Sequence, residues 1–172
     1  MLWGGDFGRA GRVTGPGSHD PGGSAPRTAA PGTPELGTVG PPSIRSRASL
    51  GLTAAAAVGR FELQVCGNCG AVQYPPREAC HRCLSSQLDW RLQDGGAELL
   101  SETTLHHSHE EFFRARLPIR LGLVRLDSGP TAVVYLADGV AAPPGRVRVG
   151  TRLDSAGQGV LVAFPEGVDG VG

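Results

Sequence analysis

Beyond residue 59, apolar and polar positions alternate with a period of two along most of the chain, the spacing of half-buried strands. Phe61, Leu63 and Val65 alternate in a first segment, and Leu88, Trp90 and Leu92 in a later one. Between them a short strand is expected from Ala71, running into a Pro75-Pro76 turn before Glu78. After Asp94-Gly95-Gly96 the pattern predicts five more strands: Ala97 to His107, Ile119 to Asp127, Thr131 to Asp138, Arg146 to Leu153 and Val160 to Phe164. Ser128-Gly129 is a two-residue turn signal between the second and third of these, with Pro130 tolerated at a strand start. In the fourth, Val147, Val149, Thr151 and Leu153 alternate with Arg146, Arg148, Gly150 and Arg152, which predicts an outward arginine stripe. A helical period is confined to Glu110 to Arg116. This is a mainly β chain, and five short strands match the count of the five-stranded OB-fold barrel.

The first 43 residues are different. They hold 11 Gly and 7 Pro and only two aromatic residues, Trp3 and Phe7. Such a segment buries too little apolar surface to offset its chain entropy, so residues 1–58 are expected to form a disordered Gly/Pro/Ala-rich tail, a degenerate docking helix, or sequence ahead of a true start downstream of Met1. A short C-terminal tail, 167–172, is expected as well. The longest apolar run, Leu50 to Val58, is nine residues, too short for a membrane span, and no secretory signal opens the chain. A cytoplasmic, reducing setting is the expectation.

Sixteen basic residues balance sixteen acidic ones, which removes the broad positive field that non-specific nucleic-acid binding relies on. All sixteen basic residues are arginine, so the absence of lysine excludes Schiff-base chemistry and a P-loop lysine.

All four cysteines lie close together, as Cys66-Gly67-Asn68-Cys69 and Cys80-His81-Arg82-Cys83, ten residues apart. Two C-x2-C pairs form two knuckle turns whose sulfurs converge on one point, the closed tetrahedral site of a structural zinc. Iron takes the same four-thiolate set. With the sphere filled by sulfur, no position is left for water or substrate, so the metal is expected to hold a fold that lacks a sufficient apolar core. The arrangement predicts a rubredoxin-like zinc ribbon over 59–94, followed by an OB-fold domain over 95–166.

These residues resemble a known family, the zinc-ribbon plus OB-fold proteins first catalogued as a domain of unknown function and later described as acyl-CoA-associated. The resemblance rests on the run Gly59 to Cys66, on Cys69-Gly70 through Tyr74-Pro75-Pro76-Arg77 to Cys80 and Cys83, and on Leu99 to His107. Gly122 to Pro130 and Val147 to Leu153 continue it. It implies an accessory subunit without turnover of its own, hence no enzyme. Such a subunit associates with a thiolase-, hydratase- or acyltransferase-type enzyme and helps hold or pass an acyl-CoA thioester in lipid, steroid or polyketide metabolism. Cys66, Cys69, Cys80 and Cys83 carry over as metal ligands. The family's usual helix ahead of the ribbon is represented here only by the short Ala-rich stretch Ser49 to Val58.

Arg77, Arg114, Arg116 and His107 are the candidate acyl-CoA contacts, with Arg82 and Arg120 as further arginines suited to phosphate. Adjacent His106 and His107 on a strand would face opposite ways, so at most His107 and His109 share a ligand. No Ser or Cys nucleophile stands beside them. His81 sits inside the second knuckle and is surplus to a complete four-sulfur set. Phe112 and Phe113 suit an exposed apolar site or a cap on the barrel end. The alternative reading is a nucleic-acid-binding zinc-ribbon/OB-fold module, which needs stacking aromatics among basic residues. The chain has nine aromatics in all, and among the expected barrel strands only Tyr135 and Phe164. Neither nucleic acid nor membrane is therefore the expected partner.

Overall fold

The computed structural model describes residues 46–167, all within one compact unit. Of the expected tails, residues 1–45 and 168–172 lie outside the described residues. A 3-10 turn, Arg47–Ser49, leads into α1, Leu50–Ala57. Three strands follow, β1 Glu62–Cys66, β2 Val72–Gln73 and β3 Leu88–Leu92, then β4 Gly96–Leu105. The short α2, Glu111–Arg114, precedes β5 Ile119–Leu126, β6 Thr131–Leu136, β7 Gly145–Leu153 and β8 Gly159–Pro165.

β1 is the centre of a three-stranded antiparallel sheet in the order β2-β1-β3. The other strands close into a barrel in the order β4-β5-β6-β8-β7, with β6 and β8 parallel and every other pair antiparallel. This is the zinc ribbon followed by the five-stranded OB-fold that the alternation predicts. A bulge between Leu99 and Ser101 shifts the register of β4 against β5. The bulge bends the strand, so its first half also pairs with β7 while its second half reaches past the core.

The ribbon and the barrel share one core. Leu63 of β1 is fully buried in the same cluster as Leu99, Val124, Val134 and Leu161 of the barrel, and Tyr74 and Trp90 pack on its edge. The Thr151 hydroxyl on β7 donates to the Arg60 carbonyl at 2.9 Å, and the Val149 amide donates to Gly95 at 2.7 Å. A three-stranded ribbon alone has little to bury. Docked here, one fully buried leucine stabilises it by about 1.5–3 kcal/mol.

Three expectations need correction. Residues 50–57, for which a disordered tail and a degenerate docking helix are both open from the sequence, form α1 and pack on β7 and β8, which overturns the disordered reading for this stretch. Composition hid this because only Leu52 and Ala55 are buried, and what permits the contact is the lack of two side chains. A Cβ on Gly51 would lie 2.1 Å from the Trp90 ring, and one on Gly159 would lie 2.8 Å from the Leu52 carbonyl oxygen. The Gly159 amide also donates to Thr53 Oγ1 at 3.0 Å. Second, β4 ends at Leu105, so His106 and His107 lie in a loop and the opposite-face argument does not apply to them. Third, residues 127–130 connect β5 to β6, a longer turn than the two residues expected, closed by Leu126 N–H to Pro130 O at 3.0 Å.

Candidate functional site

Each cysteine pair sits in the same hydrogen-bonded turn. The Gly70 amide donates to the Cys66 carbonyl at 2.9 Å and the Cys66 amide to Ala71 at 2.9 Å. In the second knuckle the Leu84 amide donates to Cys80 at 3.0 Å and the Cys80 amide to Ser85 at 2.8 Å. The two turns therefore superpose residue for residue. Gly70 and Leu84 hold the equivalent left-handed position, with φ of 70° and 61°. Glycine takes that conformation without steric cost, whereas leucine is strained there by about 1–2 kcal/mol.

The four sulfurs lie within 4.8 Å of one another, with Cys66 to Cys83 at 3.5 Å and Cys69 to Cys80 at 3.6 Å. No disulfide is formed. A tetrahedron of sulfurs around a zinc ion at 2.3 Å has edges of about 3.8 Å, so the cluster already has the size of a zinc site. The donors around it favour thiolate. The Asn68 side-chain amide at 3.6 Å and the Ser85 backbone amide bring Cys83 down to about 6. The backbone amides of Cys83 and Arg82 lower Cys80. The Ala71 amide works in the same direction on Cys69, but burial and its three sulfur neighbours push that thiol up to about 12. A knot of negative sulfurs that resists its own last ionisation is a site for a cation. Among the described residues the donor group consists of the four cysteines alone. His81 turns its Nδ1 to Gln73 Oε1 at 3.3 Å instead.

Sequence reasoning missed Gln64 and Gln73, which are buried beneath this loop. Gln64 Nε2 donates to the Arg77 carbonyl at 3.0 Å, and its Oε1 accepts from the Arg77 amide at 2.9 Å and from Gln73 Nε2 at 2.9 Å. Gln73 Oε1 accepts from the His81 amide at 3.0 Å. The alternation of Phe61, Leu63 and Val65 put Gln64 on the opposite face, and only the structure shows β1 buried on both faces, with the amides kept there because their polar atoms are paired.

Two cavities flank Tyr74. One is an apolar groove of about 310 Å3 at the barrel mouth, walled by Leu105, Phe113, Ile119, Val133 and Tyr135 among others, with no carboxylate, imidazole or guanidinium in its wall. The other is a polar pocket of about 460 Å3 between the ribbon and the β5–β6 turn, walled by Arg77, His81, Arg82, Ser128 and Thr131. Of the four candidate acyl-CoA contacts, only Arg77 lines either cavity. His107 is exposed, its ring edge-on to His109 at 5.0 Å. Arg114 donates to the His109 carbonyl at 3.4 Å, and Arg116 is bonded to the Phe112 carbonyl and Ser155, its guanidinium 3.8 Å above the Phe112 ring. Arg120 pairs with Glu102 at 2.9 Å. Phe112 is buried, and Phe113 lines the groove.

Two arginines of the β7 stripe are neutralised where they stand. Arg146 forms a two-point bond to Asp127, at 2.9 and 2.6 Å, Arg148 meets Asp94 at 3.5 Å, and Arg152 lies over Phe164 at 5.2 Å. No helix among the described residues is long and apolar enough to cross a membrane.

Residues 53–89 match the ChsH2 rubredoxin-like zinc ribbon domain and residues 90–158 the ChsH2 C-terminal OB-fold domain. Six solved chains match the fold. One is from a structure described as an Ltp2-ChsH2(DUF35) aldolase, at 23% identity and a TM-score of 0.58, covering 72% of this chain and 98% of that one. Another is a protein of unknown function from the DUF35 family of Sulfolobus solfataricus, at 14% identity and a TM-score of 0.46, covering 68% of this chain and 84% of that one. No curated protein matches the chain.

The aldolase corrects one expectation. The resemblance, with a closed metal site and a missing nucleophile, led to a chain that is no enzyme, yet a chain of the same fold belongs to a structure described as an aldolase. A closed metal site and a missing nucleophile in one chain therefore do not exclude a part in catalysis, because fold does not fix function. The two consecutive domain matches span residues 53–158, more than half of the chain, and with the ribbon and the closed barrel they make it a member of the ChsH2 (DUF35) zinc-ribbon and OB-fold family.

Proposed function

We propose that this chain is the metal-holding subunit of an enzyme complex that acts on an acyl-CoA thioester, docked on a thiolase- or hydratase-type partner, with the acyl chain in the groove at the barrel mouth. The groove carries the reading: its walls are aliphatic and aromatic, its size is that of a small ligand site, and nothing charged opposes a hydrocarbon. Each methylene buried there gains about 0.8 kcal/mol, enough for a medium chain to be held without polar contacts.

The aldolase described as Ltp2-ChsH2(DUF35) supports the partner, because it sets this fold beside a second protein in a carbon–carbon bond enzyme. Lipid or steroid breakdown is the setting that chemistry suits. Zinc in the four-thiolate site would tie the two knuckles of the ribbon together, and four unbridged cysteines suit a reducing cytoplasm. The division into a ribbon over 59–94 and a barrel over 95–166 belongs to the same reading. A nucleic-acid role has no comparable support, since Arg146 and Arg148 already face carboxylates.

The test is co-expression with a thiolase- or hydratase-type enzyme. The two are expected to co-elute, and turnover of a medium-chain acyl-CoA is expected to depend on this subunit. Val133→Glu, which puts a carboxylate into the groove wall, should abolish octanoyl-CoA binding by the zinc-loaded chain. Unchanged binding in that variant, together with no co-elution, would sink the reading.

A further inference from the structure

The polar pocket on the other side of Tyr74 has no role in holding an acyl chain, yet two described arginines wall it with no acid among the wall residues. Arg60, Arg91, Arg120, Arg125, Arg146 and Arg148 each meet a carboxylate. Arg77 and Arg82, which both wall the pocket, have no carboxylate partner among the described residues. In a chain of zero net charge, attraction for an anion has to be local, and this is a local source of it.

The pocket is also built. The loop that carries Arg77 and His81 is fastened from beneath by Gln64 and Gln73, which are 5% and 2% exposed and use their amides on the Arg77 and His81 backbone. Two buried amides spent on one exposed loop hold its arginines in place before any ligand arrives, which lowers the ordering cost of binding. Across the pocket, Ser128 and Thr131 offer hydroxyl donors.

The outer face of β6 links this pocket to the groove. Thr131, Val133 and Tyr135 alternate with the buried Ala132, Val134 and Leu136, so they share one face. Thr131 walls the polar pocket, and Val133 and Tyr135 wall the apolar groove. Along that strand the distance from the first to the third is about 13 Å. Tyr74 is a wall of both cavities.

We propose that the Arg77–Arg82 pocket binds the phosphates of a diphosphate ester, the nucleotide end of the same thioester whose acyl end lies in the groove. Guanidinium forks take phosphate oxygens in pairs, and two of them with two hydroxyls suit a diphosphate better than a single carboxylate. This rests on the acyl-thioester reading above and extends it to one continuous track along β6.

The experiment is a calorimetric titration of the zinc-loaded full chain with inorganic pyrophosphate, and separately with octanoyl-CoA. The chains compared are the wild type, the double variant Arg77→Gln/Arg82→Gln, the variant Val133→Glu, and Arg91→Gln as a control arginine paired with Asp89 on β3, the edge of the ribbon sheet opposite β2. Pyrophosphate is expected to bind saturably and to be displaced by octanoyl-CoA. The double variant should weaken pyrophosphate at least tenfold, while Val133→Glu and Arg91→Gln leave it within twofold. Equal pyrophosphate affinity in the wild type and the double variant overturns the site. If the wild type takes up no pyrophosphate but still binds octanoyl-CoA in a Val133-dependent way, the phosphate site is wrong and the acyl reading survives. Pyrophosphate bound at the arginines but not displaced by octanoyl-CoA overturns the thioester assignment.

Discussion

Replacing Gln64 with leucine keeps nearly the same bulk and removes three hydrogen bonds in one step. Gln73 Nε2 retains the Ala79 carbonyl at 3.4 Å, so the groups left without a partner are the amide and the carbonyl of Arg77. Stranding a buried backbone group costs about 1–3 kcal/mol. Both bonds are only partly buried, so water recovers some of the loss, and the expected destabilisation is about 2–3 kcal/mol in total. Urea unfolding at a fixed free-zinc concentration, followed by Trp90 fluorescence, measures it, because bound metal shifts apparent stability by mass action. Hydrogen exchange at the Arg77 amide should quicken in the same variant, and pyrophosphate binding should weaken although neither arginine is touched. A loss below about 0.5 kcal/mol, with Arg77 exchange unchanged, would refute the idea that two buried amides hold the loop.

Gly159→Ala drives a Cβ into backbone atoms of Leu52 and Thr53 at 2.8–2.9 Å, so α1 should leave the barrel. Loss of Leu52 burial and of the Thr53 bond predicts about 2–4 kcal/mol lower stability and new protease cleavage within 47–60. Refolding with cobalt(II) should give the intense absorption of a tetrahedral thiolate site at one ion per chain, and a chelator should melt the ribbon sheet in circular dichroism; a ribbon indifferent to chelation would refute a structural metal. The Arg146 guanidinium holds Asp127 below the ordinary carboxyl value of 3.8. The pair's contribution is therefore present above that value and lost as pH falls through the lowered one, and Arg146→Gln should return the Asp127 titration, followed by carboxyl NMR, toward 3.8.

The metal cluster could be read from the chain because its geometry is local. Each pair of cysteines closes its own turn through hydrogen bonds spanning five residues, so a C-x2-C spacing carries nearly all the information, down to the matching of Gly70 with Leu84. Strand alternation was readable for the same reason: side chains two apart share a face whatever the strand later pairs with. The barrel could be expected as a strand count, though its order could not, because the parallel pairing of Tyr135 and Leu136 with Val162 and Ala163 appears in no local pattern.

The cavities belong to the tertiary structure alone. His107, Arg114 and Arg116 drew attention by residue type, and folding sends their side chains to one another's loop or to Phe112 and Ser155. Arg77 and Thr131, far apart in the chain, become walls of one pocket only after the ribbon docks on the barrel. Gln64 and Gln73 are buried because β1 and β2 pair and pack, and α1 is a helix on the barrel because two glycines let it approach. Chemistry set by spacing within a turn is written in the sequence, whereas chemistry that depends on which surfaces meet exists only once the chain has closed on itself, since contact between distant residues is a property of packing.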